Sequence, residues 1–101
     1  MESLGIERRN GVLIVRFLKR ELVGEDLIFR VGRELYEQSD EAAAYGGRLL
    51  LSFHGVISMS SAMIGKLVVL NKRCRDLGVA FKMCEISPEL RTLFPGGNRD
   101  A

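Results

Sequence analysis

Residues 48–94 read RLLLSFHGVISMSSAMIGKLVVLNKRCRDLGVAFKMCEISPELRTLF, and this stretch decides the fold. Leu49-Leu50-Leu51-Ser52-Phe53 is a continuous apolar run of strand length, as expected for a strand covered on both faces in a parallel sheet. The following segment carries Ser58, Ser60 and Ser61, and a helix opens at Ser60 or Ser61. From there Met63, Leu67, Leu70, Cys74 and Leu77 step by four and three residues and share one helical stripe. Lys66, Lys72, Arg73, Arg75 and Asp76 lie mostly off that stripe. Gly78 is placed to end the helix in a left-handed conformation. Val79–Ile86 predicts a further strand, and Ser87-Pro88-Glu89-Leu90 opens a third helix with a serine cap and proline at its first position.

Outward toward the N-terminus, Val12-Leu13-Ile14-Val15-Arg16-Phe17 is a β-branched, apolar strand. Asn10-Gly11 before it tolerates positive φ at both positions, the signal of a two-residue hairpin pairing this strand with Gly5–Arg9. Residues 19–24 read as a charged connection. A first helix is expected from Glu25 to about Gln38: Leu27, Ile28, Val31, Leu35 and Tyr36 recur at helical spacing, with Arg30, Arg33, Glu34 and Glu37 opposite. Beyond Ser39 the pattern is lost, and Gly46-Gly47 punctuates the approach to the next strand. The order is therefore β-β-α-β-α-β-α. It predicts a single α/β domain over residues 1–94, a mixed four-stranded sheet with helices mainly on one face. Residues 95–101 read as a polar, flexible tail.

Composition narrows the function. The 101 residues are 47% hydrophobic and 28% charged, which is ordinary for a globular domain, and a net charge of +2 gives no argument for nucleic acid or an acidic membrane. The start of the chain lacks the pattern of a signal peptide, and no window has the length of a membrane span. Cys74 and Cys84 sit at apolar positions without metal-ligand spacing, which suggests reduced thiols in a cytoplasmic protein. The cations of the second helix lack interleaved aromatics and read as a solvated face. His54 is the sole histidine, and nothing beyond residue type links it to Ser61 as base and nucleophile. No catalytic, cofactor or metal motif emerges, so the expected activity is binding and not catalysis.

The serine turn is the candidate site. Two hydroxyls at the mouth of a helix lie where backbone N–H groups and the helix dipole favour negative charge. The run Leu50-Leu51-Ser52-Phe53-His54-Gly55-Val56, the turn from Ser58 to Leu67 and the Ser87-Pro88-Glu89 start together resemble the STAS domain. Within it, they look most like bacterial anti-sigma-factor antagonists. The usual pattern there is a strand, an apolar-Asp-Ser-Ser-Gly-Leu-Gly turn, a helix, a Gly-apolar strand and a Ser-Pro-Glu helix start. Matching Gly65 and Leu67 to the end of that turn puts Ser60 at the Asp position and Ser61 at the serine phosphorylated in the family. Ala62 stands for the second serine and Met63 for a glycine. The resemblance thus implies Ser61 as the phosphorylation site. It also implies Ser58, Met59, Ser60, Ser61, Ala62 and Met63 as the partner-binding turn, and an anti-sigma factor with serine kinase activity as the partner. Its alternative is an unphosphorylated scaffold that assembles with itself or with other STAS domains.

Overall fold

The structure, a computed structural model, describes residues 3–94. Strands β1 (Leu4–Arg9) and β2 (Val12–Phe17) form an antiparallel hairpin. Its turn has φ of 52° at Asn10 and 82° at Gly11, so both central positions occupy the left-handed region that the strand twist demands. A short β3 (Glu21–Leu22) leads to helix α1 (Glu25–Ala44), then β4 (Arg48–Ser52), a short β5 (Ser58–Met59), α2 (Ser61–Leu77), β6 (Ala80–Cys84) and α3 (Pro88–Arg91). The main sheet has the order β1-β2-β4-β6, with β4 parallel to both β2 and β6. This is the mixed four-stranded sheet expected from the sequence.

One apolar core joins the sheet to all three helices. Leu13, Val15 and Phe17 of β2 and Leu49 and Leu51 of β4 point into it, as does Phe53 just beyond β4. They meet Ile28, Val31 and Leu35 of α1, Met63, Ile64, Leu67, Leu70 and Cys74 of α2, and Leu90 of α3. Phe53 packs between Phe17, at 5.1 Å between ring centroids, and Phe94, at 6.2 Å. Such tilted and edge-on contacts suit the ring quadrupoles.

Four local expectations are corrected. Helix α1 does not stop near Gln38 but continues to Ala44, because small residues carry the buried stripe on: Ser39 and Ala42 follow Val31 and Leu35. Ser39 is tolerated in the core because its Oγ donates to the Tyr36 carbonyl at 2.6 Å and accepts from Arg73 Nε at 3.0 Å. Arg73 also grips both carboxylate oxygens of Asp40, at 3.0 and 3.1 Å, and so ties α2 to α1. Second, the charged connection contains β3, which pairs in parallel with β5 and buries Leu22. Third, Leu77 ends the α2 stripe in solvent, at 41% exposure, and Ile64 and Val79 are buried instead. The last strand is also trimmed to Ala80–Cys84, ending at Glu85 with its positive φ of 58°. The expected tail lies outside the described residues.

The hairpin tip leans on the turn between α1 and β4. Gly11 N donates to the Tyr45 hydroxyl at 3.3 Å, and a Cβ on Gly46 would fall 2.1 Å from the Gly11 carbonyl oxygen. Gly47 also has positive φ, but a Cβ there meets nothing. Gly47→Ala is therefore expected to cost about 1–2 kcal/mol for the backbone conformation alone. Gly46→Ala, which must also push two backbone segments apart, should cost clearly more; urea unfolding of both variants measures the difference. Burial raises the Cys74 thiol above its ordinary range, with Arg73 pulling the other way, whereas Cys84 is partly exposed. In the native protein a thiol reagent should label Cys84 first, and Cys74 only on unfolding.

Candidate functional site

The serine turn is built by the small β3–β5 sheet. Leu22 and Met59 are register partners, and Ser60 N donates to the Leu22 carbonyl at 3.1 Å. Upstream, Ile57 N donates to the Arg20 carbonyl at 2.8 Å, so the turn is held to the segment before α1 at two points. The effect is to bring the start of α2 beside the start of α1.

The two serines divide the work. Ser60 is the N-cap: its extended backbone (φ −82°, ψ 163°) lets its Oγ accept from Met63 N at 3.4 Å. Capping by a serine oxygen satisfies one of the free N–H groups of the first turn. Ser61 is the first helical residue and is exposed, and among the described residues its hydroxyl makes no hydrogen bond. No acidic side chain occupies the first turn of α2. The positive end of the helix is thus left without a carboxylate of its own, and Ser61 is the hydroxyl poised there.

The other turn residues separate by burial. Ala62 is exposed beside Ser61, and Ser58 is half-buried in β5. Met59 and Met63 are both in the core, at 7% and 0% exposure, so neither presents the adaptable docking surface that an exposed methionine would. The exposed surface around the turn is instead completed by residues without a motif in the sequence. Phe29, 62% exposed, projects from the first turns of α1. It lines a groove of about 930 Å³ together with Asp26, Arg33, Ser60, Ala62 and Lys66. Val23, beside the Leu22–Ser60 bond, and Ile57 are exposed as well. One sequence signal did mark Phe29: it is an aromatic residue off the Ile28–Val31–Leu35 stripe, on a helix face that otherwise carries charges.

Gly32 shapes this groove. It is buried in the middle of α1, and a Cβ there would come within 3.0 Å of Lys66 Cδ. The bare backbone lets the Lys66 stem lie across α1, an example of a long cation covering apolar surface with its methylenes. His54 is elsewhere engaged. Its side chain is 79% exposed and its Nδ1 lies 3.0 Å from Glu85 Oε1, while among the described residues it makes no hydrogen bond to Ser61. The serine–histidine pairing that catalysis would need is not formed.

With this geometry in view, comparison with known proteins is direct. Residues 4–95 match the STAS domain family, and the chain belongs to it. Among solved structures, the chain is similar to the anti-sigma factor antagonist SpoIIAA in its unphosphorylated form, with a TM-score of 0.68 and 11% sequence identity. The superposition covers 91% of this chain and 81% of SpoIIAA, and at that identity the likeness establishes a shared fold. No curated protein matches the chain.

The division between the serines has a thermodynamic signature. Ser60→Ala should lower stability by about 1 kcal/mol through loss of the cap, and Ser60→Asp should preserve it. Ser61→Ala should leave stability within about 0.5 kcal/mol of the unmodified protein, since it removes an exposed and unengaged hydroxyl. Thermal melts of the three variants provide the comparison.

Proposed function

We propose that this protein is an anti-sigma-factor antagonist. It would hold a kinase-type anti-sigma factor at the serine turn and release it when Ser61 is phosphorylated, regulating transcription in the cytoplasm. The observation that carries the reading is the exposed, unengaged Ser61 hydroxyl at the first position of α2, next to a cap that Ser60 alone supplies. A phosphate on Ser61 adds roughly 1.5 to 2 negative charges at a helix N-terminus, which tolerates them. The same charge, placed between Ser60 and Ala62 at the rim of the groove that Phe29 lines, would repel an apolar or acidic partner surface docked there. Phosphorylation in this position costs the fold little and costs the interface much. The family and the fold shared with an anti-sigma factor antagonist support this reading, and the resemblance of the turn puts Ser61 at the position of the family's switch serine. The binding surface is Ser61 and Ala62 with Ser58 at its margin, held in place from below by Ser60, Met59 and Met63.

A second reading is a non-phosphorylated STAS scaffold that assembles with other STAS domains. The outer edge of β6, unpaired among the described residues, favours it, since such an edge can extend a sheet between molecules. Capture of partners from the native cells with unmodified and Ser61→Asp baits separates the two. A kinase-type anti-sigma factor held at least about tenfold more weakly by the Ser61→Asp bait is the expected outcome. Identical partners and affinities for both baits would leave Ser61 without a switching role and put the scaffold first.

A further inference from the structure

All three helices pack on one face of the main sheet, and among the described residues no helix covers the opposite face. Strand alternation and register define what that face presents. Leu13, Val15, Leu49 and Leu51 point into the core, so their neighbours point out. Glu7, Ile14, Leu50 and Lys82 are successive register partners and form one row across the four strands. On either side of the central Ile14–Leu50 pair lie Arg16, partnered with Gly5 and Ser52, and Arg48, partnered with Val12 and Ala80. Arg16, Arg48 and Lys82 are exposed and, among the described residues, form no ion pair. Among the described residues the carboxylate of the face is Glu7, and it is already paired with Arg9.

The face is thus an apolar centre ringed on three sides by cations that form no ion pair among the described residues. Its floor is formed in part by Gly5, over which Arg16 lies: a Cβ there would be 3.1 Å from Arg16 Nε. A hollow of about 40 Å³ opens between Gly5, Glu7, Ile14 and Arg16, room for a single small apolar tip.

We infer that this sheet face is a second docking surface, distinct from the serine turn, and that it receives an amphipathic helix of a partner protein whose apolar stripe is flanked by acidic residues. Apolar side chains of such a helix cover Ile14 and Leu50, and carboxylates on its two flanks reach Arg16, Arg48 and Lys82. Charge complementarity selects this occupant. A second copy of the chain is disfavoured, because two such faces brought together would oppose cation to cation. Nucleic acid is disfavoured because the face carries no aromatic side chain on which a base could stack, and its centre is apolar where phosphates would need donors.

The test uses the full chain and a synthetic helical peptide with leucines along one face and glutamates beside them. Titrated into isotope-labelled protein, it should shift the methyl signals of Ile14 and Leu50, with an affinity that falls as salt is raised. Combined Arg16→Glu, Arg48→Glu and Lys82→Glu substitutions should weaken binding at least about tenfold. The Arg16→Gln, Arg48→Gln, Lys82→Gln protein, which introduces no acidic cluster, should also bind more weakly and stands in if the first variant does not fold. The Arg75→Glu variant, at an exposed position of α2, should bind as the unmodified protein does. Equal affinity for a peptide with lysine in place of glutamate would overturn the inference. So would shifts confined to the helical side, tighter binding of single-stranded DNA or phosphatidylglycerol vesicles, or self-association of the unmodified chain that shifts the Ile14 and Leu50 signals.

Discussion

The handedness of two crossovers governs this molecule. Chain β2–α1–β4 and chain β4–α2–β6 each join parallel neighbours, and the strand order β1-β2-β4-β6 steps in the same direction both times. A right-handed crossover that steps the same way twice must place both helices on the same side of the sheet. The buried residues of α1 and α2 therefore share one core with Leu13, Val15, Leu49 and Leu51, and among the described residues no helix covers the other side. Parallel strands are usually covered on both faces. Here the central strand β4 is fully buried on one face through Leu49 and Leu51, and only half-buried on the other through Leu50. The apolar outer residues Ile14 and Leu50 follow from that asymmetry.

The same constraint places the serine turn. In a parallel arrangement the connections that follow the strands gather at one end of the sheet, where binding sites of open α/β sheets lie. The start of α1 follows β2, the start of α2 follows β4, and β3 and β5 clip the two connections together. A turn on an isolated loop would be free to move. This one is fixed by backbone hydrogen bonds from Ser60 to Leu22 and from Ile57 to Arg20, so the exposed Ser61 is presented on a rigid base.

Where burial follows a period, the sequence was readable. β2, the start of α1, the serine cap and Gly78 with its φ of 75° all have strong local signals, and the structure bears them out. β3 and β5 were not readable, because a pair of two-residue strands has too few positions to show alternation and exists only through its partner. The last turns of α1 escaped for a different reason. Ser39 is polar by composition yet occupies a core position, made acceptable by the Tyr36 carbonyl and by Arg73, which is distant in sequence. At the candidate site the capping chemistry was local and therefore visible. Which methionines face inward was not, since methionine serves cores and docking surfaces alike. Phe29 belongs to the groove only because tertiary pairing brings α1 next to the turn.

The Asn10–Gly11 hairpin also bears on how the chain acquires this structure. It is the sole contact of the main sheet that joins strands adjacent in sequence, whereas β2–β4 and β4–β6 each require an entire helix to intervene. Loop-closure entropy is smallest for the hairpin, so it can form early and at little entropic expense. Once closed, it offers the free edge of β2 as a template, and the parallel strands add to it one crossover at a time. The rate of reaching the native state is then set by the non-local pairings and not by the local propensities of the helices.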